Sequence, residues 1–142
     1  MTHVLLVGGD VALLEGLAQS LAAQGHAPAV TTSLAEAREL ASTKPPLALV
    51  VSRALASSAG ADLLAIPLAA GGARLLYRAA TVPLAPLLPA LQRSVLADLT
   101  LPLERHRLAA LVHSLGERAR ATGRDVRTTS PNAAQGSRGE LR

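Results

Sequence analysis

Four residues mark the places where this chain could do chemistry. Gly8, Gly9 and Asp10 end the apolar run VLLV and lead into a helical pattern, and Ser52 ends the later run LALVV. Glycines between a buried strand and a helix gather backbone N–H groups at the positive end of the helix dipole, an arrangement suited to a phosphate or a nucleotide. An acid at the same junction suits a hard cation such as Mg²⁺. A plainer reading stands beside each. Gly8-Gly9 is a tight strand-to-helix turn that needs positive φ, Asp10 is a helix N-cap, and Ser52 is a loop serine rather than a kinase target. The motif is not G-x-G-x-x-G, because Val11 and Leu14 interrupt it, and no P-loop lysine follows. Tyr77, the single aromatic residue, reads as half-buried packing or as a surface on which a ligand could stack. His106 and His113 are seven residues apart, whereas zinc pairs on a helix prefer a spacing of three or four. These two are expected on a solvated helix face, and no role is read for His3 or His26.

The elements that must position these residues follow from periodicity and punctuation. HVLLVG is a short apolar run that suits a buried strand. Leu14, Leu17, Leu21 and Ala22 recur at helical spacing, and Gly25 can close that helix. HAPAVTT is a weaker strand. Ser33 and Glu36 form a capping box for a helix that Pro45 and Pro46 end. LALVV is the third strand, followed by a small-residue loop through Gly60 and a short helix over Ala61 to Ile66. ARLLY is the fourth strand. TVPLAPLLPALQR carries three prolines, each costing about 3 kcal/mol inside a helix, so a regular helix is not expected there. VLADLTL is the fifth strand. Leu103 to Ala121 is an amphipathic helix with Leu108, Leu111, Val112 and Leu115 on one face.

Strands alternating with helices imply a parallel sheet covered on both faces. The length suits the doubly wound form with five strands in order 2-1-3-4-5, whose ligands sit at the carboxyl ends of the strands where strand order reverses. Gly8, Gly9, Asp10 and Ser52 all fall there. We expect one domain over residues 1–121 and a disordered tail over 122–142, where Gly, Ser, Thr, Pro, Asn and Arg dominate.

Composition narrows the function classes. The 142 residues include no cysteine, so disulfide frameworks, thiolate metal sites and cysteine nucleophiles are excluded. The start MTHVLLVGGD lacks the basic region and long apolar run of a signal peptide, and no stretch reaches a membrane span, so a cytoplasmic protein is expected. The net charge is +4, and from Glu117 onward six arginines face three acids, so most of the excess lies in the tail. A basic face for nucleic acid on the folded body is not indicated.

On this layout the sequence resembles the receiver domain of two-component response regulators over about residues 3 to 121, a flavodoxin-like fold. The resemblance implies a site and shows it degenerate. The family's Mg²⁺-holding acids at the end of strand 1 fall on Gly8, Gly9 and Asp10, and its phosphoacceptor aspartate falls on Ser52. Its glycine eight residues later falls on Gly60. Its Thr or Ser at the end of strand 4 falls on Arg78, which either stands in for a lost cation or occupies the empty acid pocket. Its lysine and proline at the end of strand 5 fall on Leu101 and Pro102, and its switch aromatic on Asp98. Serine is a weak nucleophile without a base, glycine gives Mg²⁺ no side-chain oxygen, and leucine cannot steady a phosphoryl group.

The expected protein is therefore a pseudo-receiver, not an enzyme, without metal or cofactor. It would act as a phosphorylation-independent protein-interaction module in bacterial signalling. Its partner, another protein or a second copy, would meet the face of the fourth helix, fifth strand and fifth helix, through Leu84, Leu87, Leu88, Leu91, Asp98 and Pro102. The alternative is a small-ligand or nucleotide sensor at the Gly8-Gly9 turn.

Overall fold

The computed structural model describes residues 2–81 and 86–129, with side chains of the last helix as far as Ala121. Five strands form one sheet in the order β2-β1-β3-β4-β5, and every adjacent pair is parallel. They are β1 (His3–Val7), β2 (Ala27–Thr31), β3 (Ala48–Ser52), β4 (Ala73–Ala79) and β5 (Val95–Leu101). The helices are α1 (Val11–Ala23), α2 (Leu34–Thr43), α3 (Arg53–Ser58), α4 (Gly60–Leu64), α5 (Pro89–Ser94) and α6 (Arg105–Thr129). The doubly wound arrangement is the one expected. The interaction face named above corresponds here to α5, β5 and α6.

Strand alternation divides the core into two layers. Val4, Leu6, Val50, Leu75, Tyr77 and Leu99 face Leu14, Leu17 and Leu21 of α1 and Leu108, Val112 and Leu115 of α6. Leu5, Val7, Leu49, Val51 and Leu76 face Ala37, Ala41, Ala56, Leu63 and Leu91 on the other side. The central strands are buried on both faces, which is why they read as unbroken aliphatic runs.

Local chemistry explains the ends of the elements. Gly25 adopts φ +90° just beyond α1, as its position after Gln24 suggests. The Ser33 hydroxyl accepts the Glu36 N–H at 3.2 Å. Glu36 does not complete the box by reaching Ser33 directly. Its carboxylate accepts from the Thr31 hydroxyl, and that hydroxyl accepts the Ser33 N–H at 3.3 Å. Thr31 thus relays the second half of the capping box.

Three expectations are revised. SRALASS forms α3 instead of a loop, because Arg, Ala and Leu favour helix. Its follower Gly60 begins α4 beneath Leu88 and Leu91, whose methyl carbons would lie 3.1 and 3.4 Å from a Cβ there. The proline-rich segment does contain a helix, but α5 starts only at Pro89, where a missing N–H costs nothing at the first helical position. Finally, α6 continues to Thr129, eight residues past Ala121. Gly123 and the threonines weaken a helix without terminating one already propagating, and no proline intervenes before Pro131. Residues 130–142 of the expected tail lie outside the described residues.

Candidate functional site

The carboxyl ends of β1, β3, β4 and β5 converge. Val7 pairs with Val51, Ser52 with Tyr77, Tyr77 with Leu99, and Ala79 with Leu101. Gly8 continues β1 and donates its N–H to the Thr31 carbonyl at 3.1 Å. Gly8, Ser52 and Tyr77 meet on the face covered by α1 and α6. A Cβ on Gly8 would overlap the Tyr77 hydroxyl oxygen, and would lie 3.1 Å from Tyr77 Cζ and 3.3 Å from Ser52 Cβ. The Tyr77 ring thus crosses over Ser52 and fills the space where an acidic side chain of β1 would stand.

Tyr77 is 1% exposed, not half-buried. Its hydroxyl oxygen has no hydrogen-bond partner among the described residues. Burial first, and the nearby Asp10 carboxylate second, push the phenol up to about 12, so it stays neutral and cannot act as a base near pH 7. The sign of the linkage follows. The contribution to stability is fully present below the ordinary tyrosine value near 10 and is lost as pH rises through about 12. As Tyr77 is the chain's one tyrosine, its ultraviolet difference titration is expected to centre near 12 in the native protein and near 10 in urea. A native midpoint near 10 would mean that the ring is not enclosed.

The other sequence-derived site residues divide into two groups. Gly9 faces open space, and neither Gly8 nor Gly9 has positive φ. The turn explanation therefore fails for both. Gly8 is required by the close approach of Tyr77, not by its backbone angles. Asp10 occupies the N-cap position of α1, with its carbonyl accepting the Leu14 N–H at 3.0 Å, but its exposed side chain makes no capping bond. Ser52 sits before α3, partly buried, and its hydroxyl makes no cap either. Leu101 is buried beside Tyr77, Leu99 and Leu108, and the Leu101–Pro102 bond is cis.

Arg78 pairs in register with Thr100. Its guanidinium donates to the Ala79 carbonyl at 3.4 Å. It also helps hold the Glu104 carboxyl below its usual value, after the larger effects of the Thr100 N–H and Arg107. The side chain that lies against Gly8 is that of Tyr77.

On the proposed interaction face the leucines separate. Leu91 is fully buried and Leu87 partly so, both packed in the second core layer. Leu88 is 50% exposed and is joined by Leu96 at 52% and Leu103 at 75%. Pro102 is exposed, and Leu84 lies outside the described residues. Asp98 pairs with Arg53, whose side chain reaches from the end of β3 over β4 to β5. The pair borders a groove of about 310 Å³ between α5 and β5, with Leu96 and Gln92 on its walls.

Mg²⁺ does not fit this arrangement. The space beside Ser52 is filled by a neutral phenol, and Asp10 is the one carboxylate at the junction. Among the described residues no three acids, histidines or cysteines are grouped to hold a metal. Sequence reasoning read Tyr77 as packing or a stacking surface and missed its seat against Gly8 and Ser52, although a lone large residue near the end of β4 beside two small ones was a signal.

No protein-family model matches the sequence, and no curated protein does. Solved structures do match. The chain is similar to an adenylate cyclase from Rhodopirellula baltica (15% identity, 92% of this chain and 98% of that one, TM-score 0.65). It is also similar to the signal receiver domain of a putative LuxO repressor protein from Vibrio parahaemolyticus (15%, 86% and 95%, 0.61) and to the receiver domain of the Francisella response regulator 1452 (15%, 84% and 99%, 0.60). At these identities the likeness establishes the fold: a five-stranded doubly wound sheet of the receiver type. Among the described residues no helix is long and apolar enough to cross a membrane.

Proposed function

We propose that this chain is a pseudo-receiver, a signalling module of receiver fold that binds other proteins and is not switched by aspartate phosphorylation. The observation that carries the reading is the Tyr77 ring in the acid pocket, seated against Gly8 and Ser52. Receiver chemistry needs a carboxylate nucleophile, acids for Mg²⁺ and a cation for the phosphoryl oxygens. Ser52, Gly8 and Leu101 stand at those places, and the room they would need is filled. The module does no catalysis and holds no cofactor. Its partner surface is the side of α5, β5 and α6, where Leu88, Leu96 and Leu103 remain exposed. A small-ligand sensor at Gly8-Gly9 is the less supported reading, because the space beside Gly8 is taken and its N–H is bound to the Thr31 carbonyl, although Gly9 is open.

An amide NMR titration with Mg²⁺ and beryllofluoride tests this. The Gly8, Asp10 and Ser52 amides are expected to stay in place at millimolar concentrations of both. Saturable shifts at those three positions would restore the phosphoacceptor reading and end this one.

A further inference from the structure

At the opposite end of the sheet, His26 lies between the α1–β2 turn and α6. It is 8% exposed. Its Nε2 is shut off from solvent with no partner among the described residues. The His113 ring of α6 stands edge-on to it, with centroids 6.4 Å apart. The joint is tight: α6 comes so close to the buried Thr2 that a Cβ on Gly116 would lie 2.6 Å from the threonine hydroxyl. Nearby groups able to attract an imidazolium are already engaged. Glu117 accepts from Arg120 and lies 3.8 Å from His113. The last carbonyls of α1 are taken by backbone N–H groups, those of Leu21 and Ala22 by Gln24, Gly25 and His26. The last turn of α1 contributes no basic group.

We propose that His26 is an acid-operated latch: a proton on its imidazole loosens the part of α6 from His113 to Ala121 from the α1–β2 turn. The cation would form in a buried place with no acceptor for its Nε2 proton among the described residues, facing His113 and Arg120. Burial first, then His113, Arg120 and the amino terminus, hold His26 below its usual 6.5. The neutral ring therefore supports the closed joint fully above about pH 6.5, and that support is lost as pH falls through the lower native value. Opening at this end would alter the flank of α6 without any use of the Ser52 pocket, and so supplies an input that a receiver fold without phosphotransfer lacks.

The test uses the full chain. Amide exchange, corrected for the intrinsic effect of pH, is compared at pH 7.5 and 5.0 in the wild type and in His26→Gln. Protection over residues 113–121 is expected to fall about tenfold on acidification in the wild type, while residues 105–111 hold, and to change little in the variant. A second measurement needs no variant: the His26 Cε1–H resonance of the wild type is expected to titrate below 6.5, together with the amides of 113–121. Unchanged protection in the wild type, an equal loss in His26→Gln, or a His26 midpoint at or above 6.5 would overturn the proposal. Should His26→Gln fail to fold at pH 7.5, the wild-type titration decides alone.

Discussion

Gly8→Ala is expected to destabilise the fold by about 3 kcal/mol, and by only about 1 kcal/mol when Tyr77 is already phenylalanine. The argument is steric. A new methyl at Gly8 overlaps the Tyr77 hydroxyl oxygen, and the ring has nowhere to retreat, since it is enclosed by the Leu6, Val50, Leu75 and Leu99 layer. Without the hydroxyl, the nearest atom is Tyr77 Cζ at 3.1 Å, which a small shift relieves. Tyr77→Phe alone is expected to be neutral or slightly stabilising, because it removes a buried polar group with no partner among the described residues. Urea denaturation of the four proteins closes the cycle. A coupling of about 2 kcal/mol is expected. Additive effects would show that Gly8 and Tyr77 do not compete for one space, and the filled-pocket account of this domain would go with them. Gly9→Ala is the internal control. It meets nothing within 4 Å and should be silent.

The cycle also shows why the site was harder to read than the fold. Strand runs such as LALVV and VLADLTL announce themselves because burial on both faces leaves little but aliphatic residues. The α1 stripe of Leu14, Leu17 and Leu21 with Gly25 beyond it is an equally local signal, and all three residues are buried where expected. The site depends on contacts between residues far apart in the chain. Gly8 looked like a turn glycine because a turn is the commonest reason for a glycine at such a junction, yet its φ is ordinary and its partner is 69 positions away in Tyr77. Arg78 was open to two roles by charge, a substitute cation or an occupant of the space beside Gly8, whereas the side chain seen against Gly8 is the neighbouring Tyr77. The leucines of the proline-rich segment could equally have lined a partner surface or covered the sheet, and α5 turns Leu91 into the core beneath which Gly60 leaves room. His26 carried no pattern at all. Its burial comes from α6 crossing the α1–β2 turn, a tertiary event invisible to spacing. What the sequence offered for the pseudo-receiver proposal was residue identity at the ends of the strands, where Gly8, Ser52 and Leu101 stand. What surrounds them needed three dimensions.

Leu101→Lys is the second large effect, and it separates a merely mutated site from a rebuilt one. In a receiver with its acids intact, a lysine at this place meets carboxylates. Here Leu101 is fully buried among Tyr77, Leu99 and Leu108, and the positions that would answer an ammonium are Gly8 and Ser52. A lysine at 101 would have to be buried as an unpaired cation, surrender its proton, or push β5 away from α6. Each route is costly, and we expect a loss of about 4 kcal/mol at pH 7, read from the urea midpoint. The loss should shrink at high pH, because burial lowers the pKa of a lysine and the neutral amine is the form the core tolerates. Leu103→Lys, two residues on and 75% exposed, should change stability by less than about 0.5 kcal/mol. The comparison isolates the environment from the chemistry of the substitution. Should Leu101→Lys be as mild as Leu103→Lys, an anionic group would have to lie within reach of position 101, and the acid pocket would be less completely lost than the Tyr77 ring implies. With the expected loss, a lysine at 101 would be tolerated only after the phenol is removed and acids are placed at positions 8 and 52, which is the outcome the pseudo-receiver proposal requires.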